Sequence, residues 1–254
     1  MALHSKQAIG KSLSFRGGAE KSRFWRFLLA ALVEMTCLLI PFAQSSEIHG
    51  QILLEPPLPV IQKIKMEQKR QDTCDPERYP VGLVLSSEGG VKNAVISLKG
   101  EPPASNGDFG PAVLDQKNCV FEPHVLLVKT GVPFKIATSD PMDHEVRSFD
   151  GTTMLFNFGM SPHGAFVEKK FEKPGTYLMR CGLHLWMHAF VVAAENSFYA
   201  VSAPDGKFIL RDVPPGKHVL KIWHETLGEM EIPLEVSKPV EEIRYVFPKY
   251  TGIV

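Results

Sequence analysis

Apolar and polar residues alternate in short runs along most of this chain, and turn-forming residues close nearly every run. HGQILLE, IQKIKM, GLVLS and AVISLKG read as four strands before residue 100. PPLP at 56–59, DPERYP at 75–80 and SSEGG at 86–90 break them apart, the last being a good hairpin turn because glycine tolerates positive φ. EPPASNGDFGP at 101–111 offers nothing to bury and reads as a loop. A second group follows: HVLLVKTG, VPFKIATS, HEVRSF, the alternating FVEKKF, KPGTYLMRC ending at Cys181, and AFVVAAE starting just after Met187 and His188. The third comprises SFYAVS, KFILRDV, KHVLKIWHE and IRYVF, with APDG and PPG as turns. No 3.6-residue period is sustained after the first 45 residues, so the pattern predicts an all-β fold.

The first 45 residues follow another rule. Lys6, Lys11, Arg16, Lys21, Arg23 and Arg26 precede the apolar run LLAALVEMTCLLIPF at 28–42, and small residues surround Ala43 to Ser46. Basic, then apolar, then small is the order of an export signal. The run is short for a membrane span and contains Glu34; left uncleaved, it would act as an anchor. The whole chain has 254 residues and a formal net charge of zero, and removing the signal leaves −4. Neither value favours a nucleic acid partner.

Export changes the meaning of the cysteines. Beyond Cys37 in the signal there are three, Cys74, Cys119 and Cys181. In an oxidising compartment thiols pair unless something else holds them. Cys181 has metal-binding neighbours and the other two have none, so the economical assignment is a Cys74–Cys119 disulfide with Cys181 free. Such a bridge would stabilise the fold by roughly 4 kcal/mol on a chain-entropy view. The alternative, Cys181 in a disulfide, would remove it from any metal.

CGLHLWMHAF, at 181–190, concentrates the candidate chemistry. Cys181 ends one strand, Met187 begins the next, and His184 lies on the loop between. Thiolate, imidazole and thioether are soft or borderline donors that suit copper better than calcium or magnesium. A second imidazole would complete a trigonal set with a weak axial methionine, and His144 in SDPMDHEV is the best placed. His124 is a weaker candidate, a core or edge histidine. His188 should point to the face of its strand opposite Met187. His163 sits in a loop read as solvated. His224 begins HETLG, which lacks the second histidine of H-E-x-x-H, so metalloprotease chemistry is not expected. No G-x-S-x-G, P-loop or dinucleotide fingerprint occurs.

With F-x-P-H-V, G-x-P-F-x-I, S-D-P-x-x-H, F-x-K-P-G-T-Y and C-x-x-H-x-x-M, the stretch from about Cys119 to Ala194 resembles the cupredoxin, or blue-copper, family. The resemblance implies one type 1 copper ion, with His144, Cys181 and His184 as strong ligands and Met187 as the axial one. It implies one-electron transfer to a redox partner protein and no enzymatic activity. Two departures stand out. Plastocyanin-like members usually have four residues between the loop histidine and methionine; here there are two, Leu185 and Trp186, which bears on Met187 as a ligand. Many also carry Asn after the first histidine, and Glu145 in its place is expected to weaken the hydrogen bonding between the ligand loops.

The flanks, VGLVLSSEGGVKNAVISLKG and FYAVSAPDGKFILRDVPPGKHVLKIWHE, resemble pieces of the carboxypeptidase-regulatory, or prealbumin-like, β-sandwich, a non-catalytic module. Asp205, Gly206, Phe208, Leu210, Pro214, Pro215, Gly216 and Lys217 carry its D-G-x-F-x-L and P-P-G-K motifs. The combination resembles exported bacterial proteins, some bearing a methylamine-utilisation label. The expected layout is a signal at 1–45, sandwich strands at 46–111, a cupredoxin domain at 112–196 inserted into or packed on that sandwich, its remainder at 197–248, and a tail at 249–254. The implied location is periplasmic or extracellular, with no membrane span in the mature chain. Two other functions fit the same features: a copper carrier, or a cell-envelope module that binds protein or glycan and keeps only a vestigial metal site.

Overall fold

The computed structural model describes residues 45–65, 74–75, 77–100, 109–110, 112–162 and 164–250. Residues 1–44 of the expected signal, most of the 101–111 loop, His163 and the last four residues lie outside them. Among the described residues there is no helix, and eighteen strands follow in order: β1 Ser46–Leu54, β2 Ile64–Lys65, β3 Glu77–Arg78, β4 Val95–Leu98, β5 Val113–Lys117, β6 Val120–Glu122, β7 Val125–Lys129, β8 Phe134–Thr138 and β9 His144–Asp150. Then come β10 Thr153–Met160, β11 Phe166–Lys169, β12 Gly175–Cys181, β13 His188–Ala194, β14 Tyr199–Val201, β15 Lys207–Val213, β16 Gly216–His224, β17 Gly228–Val236 and β18 Val240–Phe247. The fold is all-β.

Four of the sheets pair into two sandwiches. Sheets β15-β1-β18 and β14-β4-β16-β17 close over one core that includes Ile48, Ile52, Ile96, Leu220, Ile222 and Phe247. Sheets β10-β9-β12-β13-β7 and β11-β8-β5-β6 close over another, with Leu114, Phe134, Ile136, Val146, Met179 and Val191. The chain thus lays down part of the first sandwich, builds the second, and returns to finish the first. A small apolar cluster of Val95, Val125 and Val192 joins the two, and Phe190 meets Trp223 edge-on at 5.0 Å.

The turn motifs behave as their chemistry requires. Gly89 has φ +84°, and Ser86 and Gly90 close the hairpin through the Ser86 N–H to Gly90 O bond of 2.9 Å. A Cβ on Gly206, at φ +82°, would lie 2.2 Å from the carbonyl oxygen of Ile52, so the D-G turn needs both the positive φ and the missing side chain.

Several strand expectations need correction. GLVLS is not a strand; Leu85 makes only an isolated bridge to Val91. Within the described part of IQKIKM, residues 61–65, only the two exposed residues of β2 are strand. Five strands went unpredicted: β3, which falls in the DPERYP break, and β5, β6, β10 and β17. Pro233 lies inside β17, which is tolerated because β17 is the edge of its sheet. β10 is also an edge; its first three residues, among them Met154 and Leu155, are exposed, and burial alternates only beyond them.

Candidate metal centre

Strand alternation delivers the ligands. In β9, His144, Val146 and Ser148 point inward while Glu145 and Arg147 point out. In β12, Tyr177, Met179 and Cys181 point inward. These strands are paired with Cys181 opposite Val146, two residues from His144, so thiol and imidazole arrive side by side. The loop after Cys181 turns back at once. Met187 N–H donates to His184 O at 2.9 Å, and Cys181 N–H donates to Met187 O at 3.1 Å. That closure folds His184 over the thiol.

Cys181 Sγ lies 3.6 Å from His144 Nδ1 and 3.6 Å from His184 Nδ1, and the two Nδ1 atoms are 3.1 Å apart. Donors each about 2.0–2.3 Å from one ion lie roughly 3–4 Å from one another, so this triangle is the size a metal needs. All three residues are buried, at 1%, 2% and 3% exposure for His144, Cys181 and His184, and Met187 is 1% exposed in the same core. One thiolate and two imidazoles form a soft-to-borderline set that fits copper.

The surroundings hold these side chains in place. His144 Nε2 lies 3.0 Å from Asp140 Oδ2. A carboxylate can only accept, so it fixes the proton on Nε2 and turns the Nδ1 lone pair toward Cys181. Asp140 is itself anchored by N–H donors from Asn118 (2.6 Å) and Cys119 (2.9 Å). Both donors have positive φ, +53° and +55°, in the tight turn between β5 and β6. The Cys74–Cys119 disulfide is present and both cysteines are buried, while Cys181 is the free thiol among the described residues. Cys119 O in turn accepts from Trp186 Nε1 (3.1 Å) and from Arg78 (2.7 Å), and the Trp186 ring packs on His184 at 5.2 Å. One disulfide-held turn therefore supports both histidines. Asp140 is the residue that sequence reasoning passed over, although it stands in the quoted S-D-P-x-x-H motif four positions before His144.

Glu145 leaves the loops bonded to one another through backbone atoms. Its carbonyl accepts from Gly182 N–H at 2.8 Å, and its backbone also bonds the Cys181 sulfur. Its carboxylate turns away to Arg147 and Asn157. Burial alone would raise the Cys181 thiol pKa. In the metal-free site His144 and His184 can donate to the sulfur from Nδ1 when their rings are charged, and these bonds, with backbone donors including His184 N–H at 3.4 Å, overcome that and bring it down to about 5. The site is built to hold a thiolate.

The remaining histidines separate cleanly. His188 points away from the thiol toward the first sandwich and meets Glu225, as does His124. His224 is buried and accepts N–H bonds from Thr226 and Leu227 at 3.2 and 3.3 Å; burial lowers its pKa to about 4, so it shapes a turn as a neutral ring. No helix of the described residues is long and apolar enough to cross a membrane.

No family model and no curated protein matches the chain. Among solved structures, a purple cupredoxin from Nitrosopumilus maritimus is 25% identical, covering 36% of this chain and 94% of its own, with a TM-score of 0.28. An amicyanin from Paracoccus versutus is 18% identical over 39% of this chain and 97% of its own, with a TM-score of 0.30. A copper-containing nitrite reductase from Thermus scotoductus SA-01 is 21% identical over 37% of this chain and 25% of its own, also at 0.30.

Proposed function

We propose that this chain holds one copper ion on His144, Cys181 and His184, with Met187 as a weak fourth ligand, and passes single electrons to a redox partner protein. The observation that carries this is the buried triangle of Cys181 Sγ and two imidazole Nδ1 atoms, with edges of 3.1–3.6 Å. Copper bound there supplies a couple that takes up and returns one electron. The protein's part is to keep the ligands from moving as it does so. Asp140 orients His144, Trp186 packs on His184, and the loop hydrogen bonds hold Cys181. Leu183 and Leu185, 51% and 79% exposed, flank His184 and offer an apolar contact for the partner. The chain is an electron carrier on this view and not an enzyme.

The wider layout belongs to the same proposal. Residues 1–45 direct export to the periplasm or beyond, 46–111 and 197–248 form a prealbumin-like sandwich, 112–196 form a cupredoxin domain, and 249–254 are a tail. The separate cores of the two sandwiches, and the return of the chain to the first, support that division. Voltammetry of the copper-loaded mature protein tests the function. A reversible one-electron wave is expected. A loaded protein with no reversible couple would refute the shuttle.

A further inference from the structure

On the face of β13 away from the thiol, a second set of donors converges. His188 opens β13, His124 sits immediately before β7, and Glu225 follows β16. Glu225 Oε1 contacts His124 Nε2, and Glu225 Oε2 lies 2.9 Å from His188 Nε2. All three ligand atoms lie within 4.8 Å of one another. The imidazoles come from the second sandwich and the carboxylate from the first.

We propose that His124, His188 and Glu225 bind a divalent transition-metal ion of zinc(II) type, separate from the copper proposed at Cys181. The tautomer of His188 is the first support. Its Nδ1 lies 3.4 Å from Trp186 O, and a carbonyl can only accept, so Nδ1 carries the hydrogen. Its Nε2 then faces a carboxylate oxygen at 2.9 Å, an approach that needs positive charge at that point, supplied by a second ring proton or by a metal ion. A metal-bound histidine ordinarily donates its other N–H to a carbonyl in this way. His124 is the second. Its Nε2 is the ring atom aimed at Glu225, and its buried Nδ1 has no hydrogen-bond partner that would fix the tautomer, so Nε2 can serve as donor to the carboxylate or as ligand to a metal. Access is the third. A cavity of about 460 Å³ reaches the cluster, lined in part by Arg78, Tyr79, Trp186, His188 and Glu225.

The donor set defines the ion. Two imidazoles and one carboxylate are borderline to hard, the type that holds Zn(II) or Fe(II) and leaves positions for water. No thiolate is present, so this cluster lacks the feature that selects copper at Cys181.

Cobalt(II) distinguishes the two sites, because thiolate-bound cobalt absorbs intensely in the near ultraviolet and cobalt on nitrogen and oxygen does not. Cobalt would be titrated into the full mature chain, and bound metal counted after equilibrium dialysis. Wild type should bind two equivalents. Cys181→Ser should keep one, without the intense band. Glu225→Gln and His188→Ala should weaken that second equivalent by more than about 100-fold while keeping the thiolate band, which also reports that the variants fold. Failure of the copper reading would appear as a missing thiolate band in wild type, whatever happens at Glu225. The second site is overturned if Cys181→Ser binds no cobalt, or if both Glu225→Gln and His188→Ala bind two equivalents as tightly as wild type.

Discussion

The two ligand clusters share the stretch Cys181–His188 and face opposite ways from it. Cys181, His184 and His144 point into the core of one sandwich and are almost wholly buried. His188 lies seven positions after Cys181, on the other face of its strand, and meets a carboxylate from the neighbouring sandwich. Burial and donor type change together. The inner set is soft, dry and built from one folding unit; the outer set is harder, partly open and built from two. Strand alternation thus sorts adjacent donors into two sites of different chemistry. It follows that damage to one should leave the other working.

The largest effect belongs to Cys181→Ser. The intense thiolate-to-copper absorption should vanish, because a hydroxyl is a harder and less electron-donating ligand. Metal counting should show the outer site untouched; loss of both would break the comparison. In the metal-free protein the same thiol gives a pH signature. Its folded pKa, about 5, lies below the ordinary 9.0, so its contribution to stability is complete above that ordinary value and disappears as pH falls through about 5. Ultraviolet titration should find thiolate at neutral pH. A thiol that ionises only near its ordinary value would contradict this.

Next comes the disulfide. Replacing both Cys74 and Cys119 by alanine should cost about 2–5 kcal/mol in chemical denaturation. It should also loosen copper, since Cys119 donates to the carboxylate that orients His144 and accepts from Trp186. Unchanged copper affinity in a destabilised double variant would confine the disulfide to a purely structural role.

Asp140→Asn sharpens the contrast at a single group. An amide can present its N–H₂ to His144 and spoil the tautomer, so copper affinity should fall by about 10–100-fold. Competition with a chelator measures it. An unaltered affinity would mean that backbone packing alone sets the ring.

Met187→Leu should have the smallest effect. If the thioether donates to copper, its loss disfavours Cu(II) more than Cu(I), and the reduction potential rises. A rise of about 60 mV corresponds to roughly 1.4 kcal/mol for one electron. If Met187 only packs in the core, the potential and spectrum stay as they are, since this swap usually costs less than about 1.5 kcal/mol.

How far the sequence discloses this molecule depends on whether the signal is local. Cys181, His184 and Met187 fall within seven positions, so soft donors stand out, and the turn before HEVRSF marks His144. The disulfide followed from counting cysteines. Strand alternation indicated the direction of His188. Glu225 was hidden because its partners lie 37 and 101 residues away. Asp140 was hidden because an acidic residue in a turn is ordinarily solvated; only the folded structure places it under His144 with two backbone donors. The strand β17 escaped because an edge strand need not exclude proline, and β10 because its exposed Met154 and Leu155 mask the alternation that follows.

One measurement bears most directly on the central claim. The mature protein, freed of metal, receives one equivalent of Cu(II), and its visible spectrum is recorded. An intense charge-transfer band that appears with one copper per chain and is absent from Cys181→Ser is the predicted result. A weak spectrum typical of nitrogen and oxygen ligands, unchanged by that substitution, would contradict it.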